Sequence, residues 1–425
     1  MQSISTVLQK LTGIREDELG KAAWSALLFF LILCGYYILR PLREQMGLAG
    51  GVRNLPQLYL INLGVMLALA PVFGAVATRW ARRTFVPAVY LFFMLNMLVF
   101  FGLNRLVPDA NQITLGRVQY VWISVYNMWA VSLFWAFMAD NWGLARSKRI
   151  FGFISVGGSA GAIAGSSITS LLIGPVGKDN LILVSAALML IAALVLHRLG
   201  RDMSADKPAS DSAPSDRGHF WSGLTEFVGS PYLLAIGLYM FLFTVLSTFL
   251  YFMQAEIVDA AGVSPEHKTQ IFANIDLAVN ILALGFQLFL TGRLMSRWGV
   301  GRVLLVLPAV SAVGFAALAV SPALAVLVVF QVLRRAGNYA LSKPARETLY
   351  TIVNRDQKYK AKSFIDTFVY RGGDALGSLI FRALGGLGLA GIAMAAVPAS
   401  LAWGAAGLYL GRKQKEMAEK QGEDA

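Results

Sequence analysis

The sequence predicts an all-α membrane protein with twelve transmembrane helices in two pseudo-symmetric six-helix bundles. Three observations predict it: an apolar composition, a series of long apolar runs, and one long polar stretch that divides these runs equally. Hydrophobic residues make up 56% of the 425 positions and charged residues only 14%, against roughly 45–50% and 25% in soluble domains. An ordinary soluble enzyme, a disordered chain and a nucleic-acid-binding domain are therefore excluded as first interpretations.

The transmembrane helices are predicted from runs of about 20 mostly apolar residues. The first run follows a polar start and lacks the cleavage site of a signal peptide, so we expect it to be retained. The twelve predicted spans are 22–43, 56–78, 85–104, 118–140, 150–173, 180–198, 232–253, 270–291, 303–320, 322–343, 363–383 and 386–410.

The basic residues predict the orientation in the membrane. With the N-terminus in the cytoplasm, the cytoplasmic segments hold 25 of the 37 lysines and arginines, the outer segments hold seven, and five lie within helices. Cytoplasmic loops of membrane proteins carry such an excess. We therefore expect a multi-pass protein of a bacterial inner membrane with both termini in the cytoplasm. The net charge of +13 reflects this topology and does not require a nucleic-acid partner.

One polar segment divides the chain into two halves. RDMSADKPASDSAPSDRGH, at 201–219, is rich in Ser, Asp and Pro, a composition typical of flexible linkers. The predicted domains are an N-terminal six-helix bundle at 1–200, a cytoplasmic linker at 201–222 and a C-terminal six-helix bundle at 223–425.

The two halves share a motif after their second predicted span. GAVATRWARR occupies 74–83 and GRLMSRWGVGR occupies 292–302, an offset of 218 residues. A second match places Gly157 opposite Gly372, 215 residues apart. Two matches at nearly one offset indicate a duplicated unit. The motif resembles the G-x-x-x-D-R-x-G-R-R loop signature of the major facilitator superfamily, with Thr78 and Ser296 at the acidic position. The resemblance implies gating roles for Gly74, Arg79, Arg82, Arg83, Gly292, Arg297 and Arg302.

Several further runs resemble the ATP/ADP carrier (nucleotide transporter) family. They are YILRPLRE at 37–44, FWAFMADN at 134–141, SPYLL at 230–234, KPARETLY at 343–350, KAKSFID at 360–366 and GSLI at 377–380. In that family a Lys-Glu pair stands where Arg346 and Glu347 stand here, and a lysine stands at Arg43. The resemblance implies that these positions, with Arg40 and Glu44, contribute to handling an anionic substrate.

The tenth predicted span carries an unusual number of polar side chains. A charged residue inside a membrane helix is costly and usually faces a cavity. Arg334 lies twelve residues past Pro322, roughly 18 Å along a helix and near the midplane. In a regular α-helix, spacings of three and four place one set of side chains on a single face: Gln331, Arg335, Asn338, Ser342 and Arg346. We predict a substrate or gating role here in preference to a buried structural pair.

Acidic side chains in other spans are candidate partners or proton carriers. Asp366, Tyr370 and Asp374 are predicted to share a face of the eleventh span, with Arg371 and Asp374 able to pair. Two interpretations stay open for them, an internal salt bridge and a gate. Asp276 in the eighth span is a candidate proton carrier, counter-ion or cap, and Asn280 follows one turn later. The remaining candidates are Asp140, for coupling or gating, and Lys343, for substrate binding.

The predicted function is secondary active transport by alternating access of a small anionic solute, such as a nucleotide, phosphate ester or organic anion. One alternative is a proton-coupled exporter of amphiphilic compounds, and another is a non-transporting membrane sensor or assembly protein. No catalytic triad, metal-binding motif or phosphate loop appears in the sequence, so we expect no enzymatic activity, metal or cofactor. The expected partners are the solute and the lipid bilayer, and the chain is expected to be monomeric.

Overall fold

A computed structural model describes residues 15–79, 82–204, 220–353, 361–362 and 364–421. Within these ranges the backbone is almost entirely helical. Nine of the described helical segments are long and apolar enough to cross a membrane. Two of them, 150–202 and 370–420, contain 53 and 51 residues. Each therefore has room for two crossings of about 20 residues. The all-helical membrane fold is confirmed, and the count of twelve spans stays a prediction.

The α-helices are numbered here in chain order. They are α1 (Glu16–Ala49), α2 (Leu55–Arg79), α3 (Arg82–Leu106), α4 (Asp109–Ser204), α5 (Phe220–Gly229), α6 (Pro231–Ala260), α7 (Pro265–Phe289), α8 (Thr291–Val320), α9 (Leu324–Gly337), α10 (Lys343–Thr348), α11 (Tyr370–Ala383) and α12 (Gly388–Gln421). The helical run α4 contains a break at Gly177, whose φ of +80° is left-handed, a conformation that glycine adopts without steric cost. Ser230 caps α6, and Pro231 follows it, an arrangement that favours helix initiation.

The chain forms two compact units. Of the described residues, unit 1 contains those within 1–54, 61–212 and 263–277, and unit 2 contains those within 55–60, 213–262 and 278–425. The first turns of α2 thus belong to unit 2, and the first half of α7 belongs to unit 1.

Unit 1 is organised around the packing of α1 against α4. Three glycines of α4, spaced four residues apart, lie against the α1 backbone. A Cβ at Gly157, Gly161 or Gly165 would overlap the carbonyl oxygen of Ala26, Phe30 or Cys34, respectively. Such spacing lets two membrane helices approach closely. The apolar core around this contact includes buried side chains from α1, α3 and α4.

Unit 2 is held by contacts of α6 with α11 and α12, and of α8 with α12. Small residues again mark the contacts. Gly373 of α11 lies against Thr244 of α6, and Gly301 of α8 lies against Gly411 of α12, so that a Cβ at any of these glycines would meet the facing chain. Close packing of α6 and α11 brings the polar side chains of both helices into one region of unit 2.

Two π-helices interrupt the α-helices of unit 2, at Asn338–Ser342 and Ile365–Val369. A π-turn inserts one extra residue into an α-helix. This insertion rotates everything after it by about 100° relative to the regular pattern. The predicted face that joined Arg335 to Arg346 is therefore wrong, because that prediction assumed an uninterrupted helix. Asp366 is exposed within the second π-helix and Asp374 is buried in the helix that follows, and their common face stays a prediction.

Candidate functional site

Arg334 is the most deeply buried charged residue of the α9 helix, with 4% of its surface exposed. Its guanidinium donates from Nη2 to Ser247 Oγ at 2.7 Å and to the Phe243 carbonyl oxygen at 3.4 Å, and from Nε to Ser311 Oγ at 3.2 Å. All three acceptors are uncharged. Among the described residues no carboxylate lies within ion-pair distance of Arg334, although a buried charge normally has a partner of opposite charge.

Arg346 and Arg334 meet at the ring of Phe243. The guanidinium carbon of Arg334 lies 5.5 Å from the ring centroid, and that of Arg346 lies 5.0 Å from it. The π-helix explains the meeting. Twelve residues separate the two arginines, which in a regular α-helix places them about 120° apart, whereas one inserted residue reduces this angle to about 20°. Arg346 Nη1 also lies 2.7 Å from the Met240 sulfur, a weak acceptor.

Neutral polar groups and aromatic rings surround this pair of arginines. Gln331 donates to Gln254, joining α9 to α6 by a buried amide pair. The Tyr239 hydroxyl donates to the Leu304 carbonyl oxygen at 3.0 Å and lies 3.3 Å from Ser342 Oγ. The ring of Tyr370 packs edge-on against Phe243, with centroids 6.2 Å apart. We name the set Arg334, Arg346, Phe243, Ser247 and Ser311 the arginine cluster.

Asp374 lies in α11 one turn beyond Tyr370 and is buried. Its Oδ2 is 3.5 Å from Arg371 Nη1, as the sequence spacing predicted. Thr248 donates to its Oδ1 at 3.4 Å, and the Tyr59 hydroxyl is a further hydrogen-bond partner. The charge of Asp374 is thus compensated by Arg371 and does not neutralise Arg334.

Other predicted residues of unit 2 lie around α7, α9 and α10. Glu347 pairs with Lys362, whose ammonium lies 5.6 Å from the centroid of the Tyr350 ring. Lys343 is exposed, and Arg335 is half-buried. Asn280 and Asn338 are half-buried, and Nδ2 of the first and Oδ1 of the second have no hydrogen-bond partner within the described ranges.

The predicted residues of unit 1 form two ion pairs. Arg40 Nη1 lies 3.2 Å from Asp276 Oδ1, and Asp276 is 3% exposed. Of the three roles considered for Asp276, the structure therefore supports the counter-ion. Arg43 pairs with Glu44 at 2.8 Å, donates from Nε to Ser124 Oγ at 2.9 Å, and stacks on the Tyr120 ring at 4.1 Å. These contacts tie the end of α1 to α4.

The residues of the repeated motif are described only in part. The backbone is helical at Gly74, Arg79, Arg82 and Arg83. The side chains of these three arginines and of Asp140 fall outside the described part of the structure. In the second copy, Gly292, Arg297 and Arg302 are exposed in α8. Gly299 between them has a φ of +71°, a break that only glycine accommodates easily. Their predicted gating role stays a prediction.

The structure adds residues that the sequence did not single out. Phe243, Ser247 and Ser311 complete the surroundings of Arg334, yet they are ordinary residues of apolar helices. The serines could have been found as isolated hydroxyls within apolar runs. Phe243 gives no such signal among 26 phenylalanines. The described ranges contain no cluster of three or more His, Cys, Asp or Glu side chains that could hold a metal ion.

Comparison with known proteins identifies the fold. A sequence profile described as Major Facilitator Superfamily matches residues 129–338, just under half of the chain. A search of curated protein sequences finds no match.

Three solved structures are similar over nearly the whole chain. A mutant of the nucleoside transporter NupG has a TM-score of 0.62 at 15% identity, covering 93% of this chain and 99% of its own. A bacterial homologue of the iron transporter ferroportin, in an inward-facing state, has a TM-score of 0.66 at 13% identity, covering 92% and 99%. A bacterial homologue of the human lysosomal transporter Spinster, inward-facing and unoccupied, has a TM-score of 0.54 at 13% identity, covering 96% and 98%.

All three similar structures are transporters or transporter homologues, which agrees with the sequence profile. The chain is a multi-pass membrane protein with the fold of the Major Facilitator Superfamily.

Proposed function

We propose that this protein is a secondary active transporter of the major facilitator superfamily that moves a small anionic solute across the bacterial inner membrane. The proposed mechanism is alternating access, with bundles 1–200 and 223–425 joined by the linker 201–222. Transporters built from repeats place their substrate site near the bilayer midplane. The fold and the transporter neighbours support the class of function.

The single observation that supports an anionic substrate is the uncharged environment of the buried Arg334. It is buried, its hydrogen-bond acceptors are uncharged, and no described carboxylate lies within ion-pair distance. Removing a guanidinium from water is costly unless an opposite charge compensates it. An anionic solute would supply that charge, and arginine is well suited to bind carboxylate or phosphate groups.

Several of the other arginines singled out in the helices of the two units are paired with a carboxylate. Arg40, Arg43 and Arg371 have carboxylate partners in Asp276, Glu44 and Asp374. By contrast, Arg334 and Arg346 share an aromatic ring and have no such partner among the described residues. The positive charge available to a solute is therefore concentrated at the arginine cluster. The resemblance of residues 343–350 to the ATP/ADP carrier family supports a substrate site in the same region and an anionic substrate.

Transport would be driven by exchange for a second anion or by protons. Asp276, Asp366 and Asp374 are the candidate proton carriers. Asp276 and Asp374 are buried beside an arginine, an arrangement in which protonation would release the arginine from its partner. The same observation favours the second candidate function, a proton-coupled exporter of amphiphilic compounds.

Tracer flux in proteoliposomes tests the proposal. The wild-type protein is assayed with radiolabelled phosphate esters, nucleotides and dicarboxylates, beside R334Q and R334K. A charged hydrogen bond contributes about 1.5–3 kcal/mol, so we expect R334Q to lower anion flux by roughly 10- to 100-fold, with partial recovery in R334K. The control is R105Q, which removes an exposed arginine stacked on Phe101 in unit 1.

The outcomes separate the candidate functions. Wild-type anion flux in a folded R334Q protein would contradict the anionic proposal. Amphiphile efflux that is lost in D276N or D374N and kept in R334Q would establish the exporter instead. A folded wild-type protein with no flux of any solute would favour a non-transporting sensor or assembly role.

A further inference from the structure

We infer that the arginine cluster selects a doubly charged anion over a singly charged one of the same size. This inference rests on the proposed function and specifies its substrate class. The ligand would be a compound whose two negative charges lie close together, such as a phosphate monoester or a short dicarboxylate.

The first support is the proximity of two guanidinium groups. Each guanidinium carbon lies within 5.5 Å of the Phe243 ring centroid. The two carbons can therefore be no further apart than the sum of their distances from that centroid. Two like charges at such a separation repel each other inside a protein, where screening is weaker than in water. A ligand with two negative charges relieves this repulsion, whereas a single charge leaves one guanidinium uncompensated.

The second support is that none of the nearby described acids forms an ion pair with Arg334 or Arg346. Asp374 is engaged by Arg371, and Glu347 is engaged by Lys362. The remaining acid, Asp366, is exposed and acts electrostatically on Lys362, Lys343 and Arg346 from outside ion-pair distance. Within the described ranges, no carboxylate lies within ion-pair distance of Arg334 or Arg346.

The third support is the nature of the groups that hold the two arginines. Arg334 is held by two serine hydroxyls and a carbonyl oxygen, and Arg346 by a thioether and the face of a ring. Neutral acceptors and an aromatic face fix the positions of the guanidiniums without cancelling their charge. The site is thus preorganised for negative charge from a ligand, and Phe243 positions both arginines.

Phenyl phosphate and phenyl sulfate form a matched pair of probes, because they have nearly the same shape and differ in charge. At about pH 8 the phosphate monoester carries close to two negative charges, and the sulfate carries one. Binding is measured on the full-length protein in detergent as the probe concentration that gives half-maximal thermal stabilisation. We expect this concentration to be lower for the phosphate by about tenfold or more.

Variants locate the effect. R346Q should reduce the preference to about twofold or less while the protein keeps its fold. R346K keeps the charge but loses the planar guanidinium stacked on Phe243, so it should retain only part of the preference. R105Q is the control and should leave the binding of both probes unchanged.

A second matched pair, succinate and its monoamide succinamate, separates the two ligand sources. Preference only within the phenyl pair assigns a phosphate monoester, and preference only within the succinate pair assigns a dicarboxylate.

Two results would overturn the inference. One is equal binding of the two charge states within both probe pairs in the wild type, and the other is an unchanged preference in R346Q. If the wild type binds all probes equally but loses all of them in R334Q, the anionic site stands and only its charge selectivity fails. If no probe depends on Arg334, the proposed function fails with it.

Discussion

Among the described ion pairs of unit 1, the Arg40–Asp276 pair has the more deeply buried carboxylate side chain. The Asp276 carboxylate is 5% exposed and the Arg40 side chain 21% exposed. A charge buried to this degree depends on its partner, because removing one member leaves the other desolvated and uncompensated. Residue identity at 40 and 276 therefore bears on stability as well as on any role in transport.

D276N is expected to lower the free energy of unfolding by about 1–3 kcal/mol. The double variant R40Q/D276N should lose less than D276N alone, since it removes both charges of the pair. Chemical denaturation in detergent measures both. E416Q, which removes one member of an exposed pair with Lys413, is the matched control and should leave the free energy of unfolding unchanged. Equal stability of D276N and the wild type would contradict a structural role for the pair.

At the scale of single elements, the π-helix Asn338–Ser342 determines which side chains of α9 and α10 act together. It aligns Arg346 with Arg334 and turns Arg335 away from that line. π-Turns occur often at functional sites, where the inserted residue redirects a side chain. Here the redirected side chain is the second guanidinium of the arginine cluster.

Deletion of Ala340 is expected to convert the π-helix into a regular α-helix and to rotate Arg346 by about 100° away from Phe243. Stabilisation by phenyl phosphate should then fall to the level of R346Q. The control combines this deletion with an alanine inserted after Asn338, which restores the residue count and should restore binding. Gel filtration establishes that both variants are folded. Wild-type stabilisation in the deletion variant would show that the register is unimportant.

The glycine contacts show what the spacing of residues in the sequence can predict about helix packing and what it cannot. The four-residue spacing of Gly157, Gly161 and Gly165 predicts close helix packing, and the structure confirms it against α1. The spacing itself does not identify the partner. That depends on which helix presents its backbone at matching intervals, as α1 does at Ala26, Phe30 and Cys34.

At the scale of the whole molecule, the distribution of basic residues predicts how the protein lies in the membrane. The excess of lysine and arginine in alternate loops predicts that both termini lie in the cytoplasm. The compact units and the helix lengths are compatible with either orientation, because turning the protein over leaves every internal contact unchanged. Orientation is therefore a separate property that needs its own measurement.

Reporter fusions measure the orientation. Green fluorescent protein fused after Ala425 should fluoresce, and alkaline phosphatase fused at the same place should be inactive, since phosphatase needs an oxidising compartment. Truncation after Leu106, in the predicted outer loop between the third and fourth spans, should give the reverse pattern. Active phosphatase at the C-terminus would contradict the cytoplasmic placement.

The amino-acid sequence alone determined the membrane class and the helical fold, and it predicted the approximate spans and the candidate charges. These follow from composition and hydropathy, which act through the local solvent preference of each residue and need no knowledge of distant contacts. The three-residue spacing of Arg371 and Asp374 likewise predicted a pair that the structure contains.

Only the tertiary structure decided which charges have a partner of opposite charge and which contact neutral groups. Counted along the sequence, acids and bases within the helices nearly cancel. In the structure, Arg40, Arg43 and Arg371 have carboxylate partners, whereas Arg334 meets Ser247, Ser311 and Phe243. The physical reason is that compensation acts over a few ångströms. Those distances depend on helix packing and on one inserted π-turn, and neither leaves a signal in hydropathy.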